Sequence, residues 1–127
     1  MADHADITAR QSEIESTLHQ LEETTDTHAR AESTWIALDE GRKVGIQREF
    51  MLADGNVEER KAKASERWAR TPVADGSPVT MQMAWQMALE DRTQARFRRE
   101  TLMARLSALQ SLLKADILFI PSDTKSP

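Results

Sequence analysis

The chain has 127 residues, 39% hydrophobic and only 5% aromatic, with no Tyr, no Cys and a net charge of −4. That length fits one domain, and the missing Cys excludes disulfides, thiolate metal sites and cysteine nucleophiles. No stretch is apolar enough for a membrane span, and Met1 to Arg10 carries Asp and His where a secretory leader has Lys and then an apolar run, so neither a spanning helix nor a signal peptide is expected.

Ala, Leu, Met, Gln, Glu and Arg dominate, which are strong helix formers. The short apolar/polar alternation of strands is missing. An all-α chain is therefore expected. The first helix is predicted over about 6–53, with Asp3 or Asp6 as N-cap. At about 1.5 Å per residue it would be roughly 70 Å long. Its apolar seam reads Ile7, Ile14, Leu18, Leu21, Thr25, His28, Ala31, Trp35 and Leu38. Gly41 and Gly45 predict a kink or fraying, because each costs about 1 kcal/mol relative to Ala inside a helix. Ile46 and Phe50 carry the seam onward.

Asp54-Gly55-Asn56 is the clearest turn signal, and Asn56 with Glu59 predicts a capping box for a polar second helix, 57–70. Pro72, Gly76 and Pro78 break that helix within 71–78. Ser77-Pro78 predicts the N-cap and first position of a third helix, 78–119, which Pro121 ends. Steps of four and three along it pick out Met81, Trp85, Ala88, Arg92, Ala95, Arg99, Leu102, Leu106, Leu109 and Leu113. The expected fold is a single all-α domain, 1–120: a long antiparallel helical hairpin, coiled-coil-like, with an interrupted second arm and a flexible tail at 121–127. Whether 71–78 is a bulge or a reversal is open from sequence.

If 71–78 is a bulge, a register can be set. It places Arg92 near Thr25, with Glu22 and Asp26 around it, and Arg99 near Leu18, with Glu15 and Glu22 around it. Arg96 and Arg105 also face an acidic stretch. A buried Arg needs such partners. Residues 1–40 carry a net −8, 41–70 a net +3 and 71–127 a net +1, which suits acidic and basic helices lying together. Met83, Met87, Leu89, Phe97, Met103, Leu112 and Ile117 fall off the seam as a second apolar surface. Self-association into a helical bundle would cover it; so would another protein.

No catalytic signature is present: no His-Glu-x-x-His, no phosphate-binding glycine loop, no nucleophile elbow. No enzyme activity and no cofactor are expected. His4, His19 and His28 have acidic neighbours at helical spacing, but the last helix carries no His, so no metal is expected. The Met-rich run Met81, Met83, Trp85, Met87, with Leu102, Leu106, Leu109 and Leu113, is the expected core, oligomer or partner interface. The strongest candidate for a ligand site is basic: Arg42, Lys43, Lys61, Lys63, Arg67 and Arg70, with Trp68 among them, bracketing the Asp54 turn along with Arg48 and Arg60. Such a cluster can hold phosphates while Trp68 stacks a base of single-stranded DNA. With Glu49, Glu58, Glu59 and Glu66 interleaved, it reads more readily as a solvated face laced with salt bridges.

Asn56-Val-Glu-Glu-Arg-Lys-Ala-Lys-Ala64, the long Ala/Arg/Glu helix and Leu106-Ser-Ala-Leu-Gln-Ser-Leu-Leu-Lys-Ala115 resemble small helical-hairpin proteins of tailed bacteriophages and prophages. The resemblance covers about half the chain, chiefly 56–70 and 95–117, and the chain departs from the group at Thr71 to Pro78. It implies a cytoplasmic protein of a bacterial host that acts by binding. Two roles follow from it. One is an accessory to phage DNA metabolism that binds single-stranded nucleic acid or a recombination or replication protein. The other is an anti-defence inhibitor of a host protein.

Overall fold

The computed structural model describes residues 4–118. Those residues form three helices, α1 (His4–Leu52), α2 (Val57–Arg70) and α3 (Met81–Leu118), and no strand among them. The expected tail at 121–127 lies outside the described residues. The chain packs as two units. One pairs the N-terminal part of α1 with α3 from Arg96 onward; the other, His28–Ala95, holds the rest of α1, all of α2 and the start of α3.

In the first unit the protected stripe of α1 is Ile7, Arg10, Ile14, Thr17, Leu21 and Thr24. Steps of three and four alternate through it without a break. Thr17 is 1% exposed and Thr24 is 8% exposed, whereas Leu18 is 42% exposed and Thr25 lies in the open. The seam thus passes through Thr17 and Thr24, one residue before the expected Leu18 and Thr25. Burying Thr17 is tolerable because its hydroxyl donates to the Glu13 carbonyl one turn back, at 2.7 Å. On α3 of this unit the sheltered positions are Arg99, Leu102, Leu106, Leu109 and Leu113, as the heptad reading expects, with Leu109 only 6% exposed. The same spacing reaches Asp116, whose carboxylate accepts from Arg10 Nε at 3.4 Å.

The second unit begins with the C-terminal end of α1. Its helix runs unbroken through Gly41 and Gly45, so it does not fray there. After Ala53, Gly55 turns the chain at φ 114, a conformation open to glycine. Asn56 then caps α2: its side-chain oxygen accepts from the Glu59 N–H, and its amide donates to the Glu59 carboxylate, both at 2.9 Å.

Residues 71–80 fold back on themselves. Val73 donates to the Val79 carbonyl at 3.0 Å, Pro72 and Thr80 form an isolated antiparallel bridge, and Gly76, at φ 75, occupies the turn closed by Ser77 N–H on Ala74 O. The excursion ends where it began, with Met81 N–H donating to the Thr71 carbonyl at 2.7 Å. The segment is therefore a bulge. α3 starts at Met81, three residues later than Pro78, because Val79 and Thr80 are held in the bulge. Thr80 takes the capping role expected of Ser77: its hydroxyl accepts from Met83 N–H and its carbonyl from Ala84 N–H. Ser77 caps only its own turn, accepting from Val79 N–H.

The partners of α2 and α3 on α1 fix the direction of the chain in this unit. Arg60 meets Phe50, Trp68 meets Gly45 and Arg42, Trp85 meets Arg42 and Asp39, and Arg92 meets Trp35 and Glu32. As numbers rise from α2 into α3 they fall along α1, so α3 continues in the sense of α2. Arg92 lands two turns further along α1 than the expected Thr25. The bulge consumes chain without advancing it, and the expected register undercounted that.

Candidate functional site

One side-chain cluster of the second unit lies where all three helices meet. Trp68, 5% exposed, packs directly on Gly45: a Cβ built there would fall 2.6 Å from Trp68 Cδ1. One turn earlier on α1, Arg42 is half-buried between two indoles, its Cζ 5.6 Å from the Trp68 centroid and 4.9 Å from that of Trp85. Its Nε is buried and has no hydrogen-bond partner, so the cation is held by ring faces. Asp39 accepts from the Trp85 indole N–H at 3.1 Å and pairs with Lys43 at 3.4 Å. The Trp85 indole holds the Asp39 carboxyl below its ordinary range; burial works against it, and Lys43 and Arg42 add to the lowering. A turn further back, Arg92 stacks on Trp35, Cζ to centroid 4.2 Å, and donates to Glu32 at 2.7 Å. His28 Nε2 lies 3.7 Å from the same Glu32 oxygen.

This cluster is a polar, aromatic core, and it takes apart the basic site expected from sequence. Trp68 is buried, so it offers no face to a base; Gly45 beneath it and Arg42 beside it occupy the ring. Arg42 itself is enclosed. Lys43 is tied to Asp39, Lys61 to Glu58 at 3.8 Å and Arg70 to Glu66 at 2.8 Å. Lys63 donates to the Asp54 carbonyl at 2.9 Å. Arg60 donates twice to the Phe50 carbonyl, at 3.3 and 3.0 Å, with its Cζ 4.3 Å from the Phe50 ring. α1 has no basic residue in its own last turn; Arg60 from α2 bonds a carbonyl of that turn, and Lys63 bonds the Asp54 carbonyl in the turn that follows. Arg67 and Arg48 alone of this group are exposed with no ion pair or side-chain hydrogen bond among the described residues.

The expected interface residues divide in two. Met81, Trp85, Leu102, Leu106, Leu109 and Leu113 lie on the sheltered stripe of α3 and serve the interior of their own units. Met83 and Met87, one turn apart, are 46% and 57% exposed. Of the arginines expected to find carboxylates, Arg92 does so; Arg99 Nε is buried without a partner, and Arg105 forms no ion pair among the described residues. Sequence reading missed the roles of Gly45 and Asp39. The spacing of Asp39, Arg42 and Gly45 along one face carried part of that signal; the identity of their partners did not.

Among the described residues no three His, Asp or Glu side chains converge as a metal set, and no helix is long and apolar enough to cross a membrane. No family model, no curated protein and no solved structure matches the chain.

Proposed function

We propose that this chain acts by binding rather than catalysis, as an antiparallel helical hairpin that associates with further copies of itself. The supporting observation is the imbalance between interior and surface. The buried apolar residues are Ala53, Ala64, Trp68, Ala88, Ala95 and Leu109, four of the six being alanine, while fourteen large apolar side chains are exposed among the described residues. Alanine fills the interior with little apolar area, so much of the hydrophobic surface stays wet until a second chain covers it. A second copy carries the same surface, which suits a closed symmetric assembly. Met83 and Met87 are the residues assigned to this contact in the second unit.

Light scattering over a concentration series tests the reading. The mass should exceed the 14.4 kDa of one chain at micromolar concentration, and Met83→Gln with Met87→Gln should lower it while circular dichroism stays helical. A single-chain mass at every concentration, with full helicity, sinks the proposal.

The phage resemblance supplies the setting: an accessory protein of the bacterial cytoplasm. An inhibitor that binds a host protein is the second reading. It is favoured by the same exposed methionines, since Met adapts to varied apolar partners. The two part experimentally, because an inhibitor whose methionine face is free stays a single chain until its target is added.

A further inference from the structure

In the second unit α1 turns Trp35, Arg42 and Gly45 toward α2 and α3. Val44, nine residues after Trp35, lies on the opposite side of the helix, about 180° round. A stripe centred on it stays exposed: Ala37, Glu40, Val44, Arg48 and Met51, with Val44 at 58% and Met51 at 70%. Spacings of three, four, four and three keep these residues within about 80° of arc and about 21 Å of length on one unbroken helix. Neither Glu40 nor Arg48 forms an ion pair or side-chain hydrogen bond among the described residues.

We propose that this stripe is an antiparallel contact with the same stripe of a second copy, closed by a two-fold axis beside Val44. Reversed in direction, the stripe is its own complement. With Val44 set against its own copy, Glu40 falls level with the second copy's Arg48, and Ala37 with the second copy's Met51. Each unpaired charge then meets the opposite charge, and each long methionine meets a small alanine, the large-against-small fit of packed helices. A parallel pair would set Glu40 against Glu40 and Arg48 against Arg48, which repulsion disfavours. Symmetry supplies both complementary pairs at the right intervals, as an isologous contact requires. α1 ends at Leu52, so two copies paired about Val44 overlap over residues 36–52, which hold three acids and three bases. The overlap is therefore neutral, and the strongly acidic earlier part of α1 falls outside it. A stripe about 21 Å long is one contact of an assembly rather than the whole of it. The inference thus rests on the self-association proposed above and adds a contact on α1 to that of Met83 and Met87.

Charge reversal in the full chain, read by light scattering over a concentration series, tests it. Glu40→Arg sets arginine against Arg48 at both ends of the contact, and Arg48→Glu sets glutamate against Glu40. Each variant alone should weaken association about a hundredfold, through like-charge repulsion. An equimolar mixture of the two should restore it, because every facing pair is then opposite in charge. The two changes in one chain should restore it as well. Both positions are exposed, so circular dichroism should stay helical. A second readout leaves the charges intact. The chain has no Cys, and Val44→Cys should give a disulfide-linked pair under mild oxidation, while Lys61→Cys on α2 should not. A single-chain mass for the unaltered protein at every concentration overturns the self-association reading and this inference together. Association that Met83→Gln with Met87→Gln lowers but both charge reversals leave intact overturns this inference alone. So does a loss that mixing fails to repair, or a Val44→Cys chain that stays unlinked.

Discussion

A side chain on Gly45 would collide with an indole, and one on Gly41 would meet nothing within 4 Å. The two glycines lie one turn apart in the same helix, so the comparison isolates packing from helix preference. Gly41→Ala should stabilise the protein by about 0.5–1 kcal/mol through the reduced backbone entropy cost. Gly45→Ala gains the same amount but displaces Trp68, and overpacking of about 1–3 kcal/mol should leave it net destabilised. Thermal melts of the two variants, moving in opposite directions, check this. Asp39 permits a second test at this scale. Its depressed carboxyl contributes stability that is fully present above the unfolded pKa, about 3.9, and is lost as pH falls below that value and through the folded one. Asp39→Asn should therefore melt below wild type at pH 7, and the gap should narrow as the pH falls below about 3.9 and through the lower folded value. A gap that persists unchanged at low pH would show that the carboxylate charge is irrelevant.

Each helix end in the second unit is satisfied by residues outside that helix or just before it. α1 ends under Arg60 of α2, α2 begins under Asn56, and α3 begins under Thr80. Arg60→Ala should cost about 1.5–3 kcal/mol, the range for a hydrogen bond to a charged group, and it also uncovers the Phe50 ring. Hydrogen exchange should show α1 fraying from Leu52 backward. In the first unit the placement of the seam is testable along one helix. Thr17→Asp buries a carboxylate at a position 1% exposed and should cost several kcal/mol, whereas Leu18→Asp, at a position 42% exposed, should stay near neutral. Leu106→Asp on the facing stripe should resemble Thr17→Asp. The reverse order for Thr17 and Leu18 in chemical denaturation would restore the seam through Leu18.

For the whole molecule, the main expectation is concentration dependence. A chain whose buried apolar set is largely alanine should melt at a temperature that rises with concentration if copies associate, because association stabilises the folded form by mass action. A melting temperature constant over about a hundredfold range would argue for one self-sufficient chain. The helices and their approximate limits were legible in the sequence, since Ala, Glu, Arg and Leu favour helix over long stretches and Asn56, Gly55, Pro72 and Gly76 punctuate them. So was the α3 stripe, because a heptad is a local property of one helix. Three things needed tertiary structure. The α1 seam runs through Thr17 and Thr24, since apolarity marked Leu18 while a hydroxyl bonded within its own turn can be buried. The register of α3 on α1 depends on a bulge whose length in space is not its length in sequence. The fate of the basic residues was decided by geometry as well. Charge is read from composition, but whether Arg42 faces water or two indoles, and whether Lys63 is free or ties the Asp54 turn, depends on which elements pack together.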